Sequence, residues 1–168
     1  MAMSIEIERK FLIYELPKEK PVKSHKIRQG YVAREDGNSV RVREKDGQFI
    51  LSVKTNHAEG GRNELEYNIS KDEGEVLFSS INHDVIEKTR NVYLINELTW
   101  EVDIFTGRNT GLIVAEIELD DFNQDFDIPE WIGPEVTELS KFYNANLANR
   151  PFDQWRVSYQ ALVDRLDG

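Results

Sequence analysis

The chain has 168 residues and a formal net charge of −10 at pH 7, long enough for one hydrophobic core and repelled by phosphate backbones and anionic membranes. It contains no cysteine, which excludes disulfide staples and thiolate metal sites. No apolar run nears the ~18 residues of a membrane span and no apolar leader opens the sequence, so the expectation is a soluble, cytoplasmic protein of one domain, residues 1–168.

Ile5-Glu6-Ile7-Glu8-Arg9-Lys10-Phe11 alternates as a strand does, with Glu6, Glu8 and Lys10 on one face and Ile5, Ile7 and Phe11 on the other. Residues 15–21 carry two prolines and form a polar loop. A strand follows over 26–32, where Gly30 predicts a bulge or the close approach of another backbone. Asp36-Gly37 turns the chain into a strand over 39–44, with Arg41 and Arg43 facing away from Val40 and Val42. Asp46-Gly47 turns it again into 49–54, where Lys54 opposes Phe49, Leu51 and Val53. Residues 55–61, with the Gly60-Gly61 pair, read as a mobile loop.

The 62–69 segment places Arg62, Glu64 and Glu66 together and Leu65, Tyr67 and Ile69 opposite. Ser70 and Glu73 then have the spacing of a capping box for a short helix to about residue 81. Three more alternating segments, 85–94, 98–105 and 112–119, are joined by short turns and imply an antiparallel meander. Residues 134–147 read as a helix or a pair of turns. Residues 151–166 read as a single helix, because Phe152, Trp155, Tyr159, Leu162, Val163 and Leu166 recur at helical spacing after Pro151.

A half-buried strand ordinarily leaves its charged face in water. Here, however, the charges are sorted in sign by strand, and the opposite faces are rich in large apolar residues. Closing the sheet lets helices and loops cover the apolar outside. The expected fold is therefore α+β, mainly β: a closed eight-stranded antiparallel β-barrel, or tunnel, with a charged lumen and peripheral helices. Its lumen would hold Glu6, Glu8, Glu64, Glu66, Glu101, Asp103, Glu116 and Glu118 with Lys10, Arg41, Arg43, Lys54, Arg62, Lys88 and Arg90. Burying so many ions only to pair them is a poor source of stability, since each loses its hydration. Guanidinium and ammonium groups on several strands suit a chain of phosphates. Clustered carboxylates suit Mg²⁺ or Mn²⁺, which take oxygen ligands and bridge to phosphate. His25, His57 and His83 lack the spacing of a histidine metal site and read as exposed, and Trp100 reads as core.

The Glu-x-Glu-x-Lys opening of Glu6, Glu8 and Lys10 resembles the signature of the CYTH family, the triphosphate tunnel metalloenzymes. The likeness continues through Gln29-Gly30-Tyr31, Val40-Arg41-Val42-Arg43, Ser52-Val53-Lys54, Glu64-Leu65-Glu66, Glu87-Lys88-Thr89-Arg90, Trp100-Glu101-Val102-Asp103 and Ala115-Glu116-Ile117-Glu118. This resemblance implies divalent-metal-dependent hydrolysis of a triphosphate, foremost inorganic tripolyphosphate to diphosphate and phosphate. Thiamine triphosphate hydrolysis, ATP cyclisation of the class IV adenylate cyclase type and a non-catalytic polyphosphate-binding module are the alternatives.

By the same resemblance Glu6, Glu8 and Glu118 would hold Mg²⁺ or Mn²⁺, with Glu116 and Asp103 nearby. Lys10, Arg41, Arg43, Lys54, Lys88 and Arg90 would bind phosphate, as would Arg62 from the lumen and Lys141 from a C-terminal element over 136–144. Lys10 is also expected to lower the pKa of the Tyr31 phenol, so that the two act as catalytic residues on the attacking water. The partner implied is a small-molecule triphosphate, with neither nucleic acid nor membrane; the oligomeric state stays open, a homodimer included.

Overall fold

The computed structural model describes residues 2–168. Its strands are β1 (Ala2–Glu6), β2 (Glu8–Ile13), β3 (Lys23–Glu35), β4 (Asn38–Lys45), β5 (Gln48–Asn56) and β6 (Arg62–Ile69). Helix α1 (Lys71–Ser79) separates these from β7 (Ile86–Ile95), β8 (Leu98–Phe105), β9 (Ile113–Glu118) and β10 (Ile132–Glu135). All pairings are antiparallel, and the order across the sheet is β1-β6-β5-β4-β3-β7-β8-β9-β2-β10. The mainly antiparallel β fold with few helices is as the alternating segments predict.

Strand number and closure differ from the expected eight-stranded barrel: the sheet has ten strands and its ladder is open. Two physical causes account for this. The opening stretch is split at Ile7, because residues before it pair with β6 (Glu6 opposite Arg62) and residues after it pair with β9 (Glu8 opposite Glu118). The Ile7 carbonyl leaves the first ladder to accept from the Leu119 N–H at 2.7 Å. One segment thus supplies both the first strand of the order and the ninth. The second cause is Ile132–Glu135, which adds an irregular edge strand along β2 where turns or a helix are expected from residue 134. Pro134 suits that edge, where its missing N–H takes no bond from the ladder.

The β3 bulge falls between Tyr31 and Ala33 rather than at Gly30. What crowds Gly30 is the Ile81 side chain, not another backbone. Apolar faces pack outside the sheet in three clusters. Trp100, fully buried, meets Phe11, Phe126 and Trp131 edge-on at centroid distances of 5.8, 5.9 and 5.5 Å. A second cluster joins Leu12, Ile86, Phe105 and Val114 to Phe142, Leu147, Leu162 and Val163 of the C-terminal segment. The third sets Phe78 of α1 on Phe49 and Val42.

The C-terminal segment corrects the single helix expected over 151–166. It forms the one-turn helix α2 (Asn144–Leu147), a 3₁₀ turn over Phe152–Gln154, and α3 (Tyr159–Asp167). Trp155 turns inward between Phe142 and Phe152, each at 5.2 Å, and Arg156 follows with φ of 56°, which no continuous helix accepts. Ser158 restarts the helix by accepting from the Ala161 N–H. The Tyr159 hydroxyl accepts from the Ile13 N–H at 2.8 Å and donates to the Ile113 carbonyl at 3.0 Å, pinning α3 to β2. Burial pushes this phenol up to about 12.

The predicted capping box at Ser70 and Glu73 is formed. One turn further, Gly74 lies directly against the Phe49 ring, so an added Cβ collides with it. Alanine gains about 1 kcal/mol in helix propensity, whereas overpacking costs about 1–3 kcal/mol. Gly74→Ala is expected to lower the urea midpoint, and Phe49→Leu in the same chain to recover part of the loss. A Gly74→Ala protein as stable as wild type shows that the ring yields freely.

Candidate active site

Period-two alternation turns one face of nine neighbouring strands toward a common cavity of about 1190 Å³. Glu6, Glu8 and Lys10 enter it from β1 and β2, Arg41 and Arg43 from β4, and Lys54 from β5. Arg62, Glu64 and Glu66 enter from β6, Lys88 and Arg90 from β7, Glu101 from β8, and Glu116 and Glu118 from β9. Tyr31 lines the same cavity from β3. Of the seventeen expected site and lumen positions, fifteen line this cavity, and Asp103 and Lys141 stand off its wall.

Asp103 is completely buried behind the wall. It accepts two bonds from Arg90, at 2.7 and 2.8 Å, and one from Lys88 at 2.6 Å. Both oxygens of this expected metal ligand are bonded to cations. Lys141 points away and lies over the Trp155 ring at 4.7 Å and the Phe142 ring at 5.4 Å. That cation–π contact is its local role, and the segment supplies neutral groups to the cavity instead. Thr137 Oγ1 accepts from the Lys10 N–H at 2.9 Å, and Asn144 Oδ1 accepts from Lys88 Nζ at 3.1 Å.

Lys10 Nζ contacts Glu116 at 2.8 Å and Glu8 at 3.1 Å. Burial opposes its charge, but Glu116 and Glu8 raise it far above the usual lysine range. Among the described residues no hydrogen bond joins it to the Tyr31 hydroxyl, although both side chains line the cavity. Glu116 also meets Arg90 at 3.4 Å; although burial opposes ionisation, Lys10, Arg90 and Lys88 hold its carboxyl well below the usual range. Lys54 bridges Glu6 at 2.6 Å and Glu64 at 3.2 Å, which keeps Glu6 low despite its burial.

Cations on the opposite wall lack such partners. Arg41 donates to Ser52 Oγ at 3.2 Å, comes no nearer than 4.0 Å to Glu64, and has a buried Nε without a partner. Arg43 donates from Nε to Gln29 Oε1 at 2.9 Å. Burial, then repulsion from Arg41 and Arg90, depress its guanidinium. Arg62 donates to the Gly37 carbonyl at 2.6 Å, and its Nε is likewise buried and unpartnered. Such a wall attracts an anion with several oxygens. Gln29 and Ser52, which hold two of these arginines, are residues that charge patterning misses. The signal that finds them is the period of two: Gln29 shares a strand face with Tyr31, and Ser52 shares one with Lys54.

The carboxylates pose the converse problem. Glu8 faces Glu118 across β2 and β9. Burial and then Glu116 raise Glu8, while burial and then Glu6, Glu101 and Glu64 raise Glu118. Among the described residues no three acidic side chains already converge as a preformed cation shell. The donor set nevertheless fits a hard divalent ion: oxygen ligands only, crowded by mutual repulsion that a cation relieves. His25, His57 and His83 take no part. They are half-buried rather than exposed, with His25 bonded to Asp46 at 2.6 Å and His83 to the Tyr31 backbone at 3.1 Å.

The sequence pattern of the CYTH domain matches residues 4–150. An inorganic triphosphatase of Acetivibrio thermocellus is 39% identical over 155 residues, covering 92% of this chain and 99% of that protein. An inorganic triphosphatase of Nitrosomonas europaea is 34% identical over 149 residues, covering 85% of this chain and 96% of that one. A crystal structure of an inorganic triphosphatase superposes with a TM-score of 0.65 at 30% identity, covering 86% of this chain and 95% of that one.

Lys88 generates a pH prediction. Its burial outweighs the pull of Asp103, a carboxylate it shares with Arg90, and brings the ammonium down to about 7. An unfolded lysine titrates near 10.4, so between about pH 7 and that value the unfolded chain holds a proton that the folded chain lacks. Stability is therefore expected to gain a rising contribution across that window. Urea midpoints for wild type and Lys88→Met between pH 6.5 and 10 isolate it: the rise should be smaller in the variant. Parallel curves would show that Lys88 stays protonated throughout.

Proposed function

Because the chain belongs to the CYTH domain family, we propose that it is a divalent-metal-dependent inorganic triphosphatase, cleaving tripolyphosphate to diphosphate and orthophosphate. The observation that carries this reading is the pair of imbalances in one cavity: Arg41, Arg43 and Arg62 are short of counterions, and Glu8 and Glu118 are crowded by other carboxylates. A metal-bound polyphosphate relieves both at once. Its similarity to proteins named inorganic triphosphatase over nearly their whole length supports the same substrate class.

In this reading Arg41, Arg43 and Arg62 bind phosphate oxygens, joined by Lys10, Lys54, Lys88 and Arg90 on the adjoining wall. Asp103 and Glu116 act as positioning residues, since they fix Lys88, Arg90 and Lys10 before any anion arrives. Glu6, Glu8 and Glu118 would hold Mg²⁺ or Mn²⁺, which supplies charge neutralisation on the phosphate oxygens. The cations hold the chain of phosphates so that water attacks the terminal phosphorus in line with the departing diphosphate. Tyr31 presents a phenol to the same cavity and is assigned to proton handling near the attacking water.

ATP cyclisation makes a further demand, because the ribose 3′ hydroxyl must be fixed against the α-phosphorus. The cations of the wall are suited to a chain of phosphates alone, which favours the inorganic substrate.

Three expectations test the assignment. Purified protein should release orthophosphate from tripolyphosphate with Mg²⁺ or Mn²⁺ and none in chelator; faster formation of cyclic AMP from ATP would reverse the substrate ranking. Arg41→Ala and Arg43→Ala should each weaken tripolyphosphate binding by about 1.5–3 kcal/mol, the value of a lost charged hydrogen bond. Wild-type KM in both would remove the cationic wall from the site. Glu8→Gln should keep the fold yet lose both turnover and the rise in Tm that wild type shows with Mn²⁺; an unchanged Mn²⁺-dependent rise would take Glu8 out of the metal set.

A further inference from the structure

The guanidinium groups on the unpaired wall are held, but by neutral oxygens. Ser52 Oγ accepts from Arg41, the Gly37 carbonyl from Arg62, and Gln29 Oε1 from Arg43. On the opposing wall Arg90 is held by carboxylates. Gln29 is the sharpest case. It lies directly across β3 and β4 from Arg43 and is completely buried. Its Nε2 is buried without a partner, and an amide donor in that state is destabilising. The reverse orientation of the amide is worse, because it sets two N–H donors face to face.

Two other residues of similar size avoid the orphaned donor. Methionine removes the polar group, and glutamate replaces the donor by an oxygen that pairs with Arg43. Methionine, however, leaves the guanidinium without an orienting acceptor, and glutamate cancels its charge. Glutamine alone among these orients Arg43 and leaves its charge whole. Among the described residues the terminal nitrogens of Arg43 make no hydrogen bond and no ion pair, so the fork remains open to the cavity. We infer that Gln29 is a positioning residue whose neutral carbonyl aims the Arg43 fork at a bound phosphate without neutralising it, and so sets the affinity of the cavity for its anion. This rests on the triphosphatase reading and adds to it a determinant that makes no contact with substrate.

The test separates affinity from stability. Gln29→Glu should fold with Tm at or above wild type, because the orphaned N–H is gone and Arg43 gains an ion pair. Its KM and its calorimetric Kd for tripolyphosphate with Mg²⁺ should nevertheless rise about tenfold or more, the scale of one charged hydrogen bond. Gln29→Met should raise KM less, with kcat little changed, and should add nothing in an Arg43→Met background. If Gln29→Glu fails to fold, Gln29→Met and its double variant carry the test. Wild-type KM in a folded Gln29→Glu protein, or an equal effect of Gln29→Met with and without Arg43, overturns the role of Gln29. A wild-type protein that neither binds nor cleaves tripolyphosphate overturns the triphosphatase reading, and this inference with it.

Discussion

A buried carboxylate shared by two cations anchors the cavity. Asp103 holds Lys88 and Arg90, Arg90 reaches Glu101 and Glu116, and Glu116 passes the contact to Lys10 and so to Glu8. This chain of ion pairs crosses β7, β8, β9 and β2 without a break. Each ion in it has lost most of its hydration, and a pair broken by removing one member leaves an uncompensated charge behind. The network is therefore rigid as a unit rather than as separate bonds. Its counterions run out at Arg41 and Arg43, where the next neighbours across the strands are serine and glutamine. The imbalance that attracts an anion is thus a property of where the network ends.

The split at Ile7 gives the carboxylates their arrangement. Glu6 belongs to the β6 side and is held by Lys54, while Glu8 belongs to the β9 side, opposite Glu118 and next to Lys10. A continuous ladder through residue 7 would commit both glutamates to one neighbour. Exchange of partners within a single segment instead brings two separately anchored carboxylates to the same cavity. Gly61 packs against this exchange: at φ of 70° it passes close to the Glu6 carbonyl, where a Cβ would come within 2.8 Å of the oxygen. The paired glycines thus have a steric reason at the mouth of the site, beyond the mobility that their composition suggests.

The gathering of charged residues was legible because alternation is a strict geometric rule. Once Arg41 is on the inner face, Arg43 follows, and the Glu-x-Glu pattern behaves likewise. Strand count was less legible, since the exchange at Ile7 leaves no mark in the alternation and Pro134 reads as a break before it reads as an edge. The C-terminal helix failed for a related reason. Helical spacing of Phe152, Trp155 and Tyr159 holds across a stretch where Trp155 packs inward and Arg156 adopts a left-handed backbone. Family likeness carries Lys141 toward the cavity, whereas its ammonium lies over the Trp155 and Phe142 rings.

Neutral residues were hardest to see, and they explain how the cavity is ready before a ligand arrives. Ser52, Gln29 and Asn144 accept hydrogen bonds from Arg41, Arg43 and Lys88, and Thr137 accepts one from the Lys10 backbone N–H. Preorganised groups need little rearrangement as charge develops on a transferred phosphoryl group, and that lowers its barrier more than added charge alone would. Thr137 and Asn144 come from the segment that α3 fastens to the sheet through the Tyr159 hydroxyl. The C-terminal elements therefore contribute to the site through placement: their apolar contacts fix a strip of neutral acceptors along a wall of cations, leaving the charge itself for the substrate.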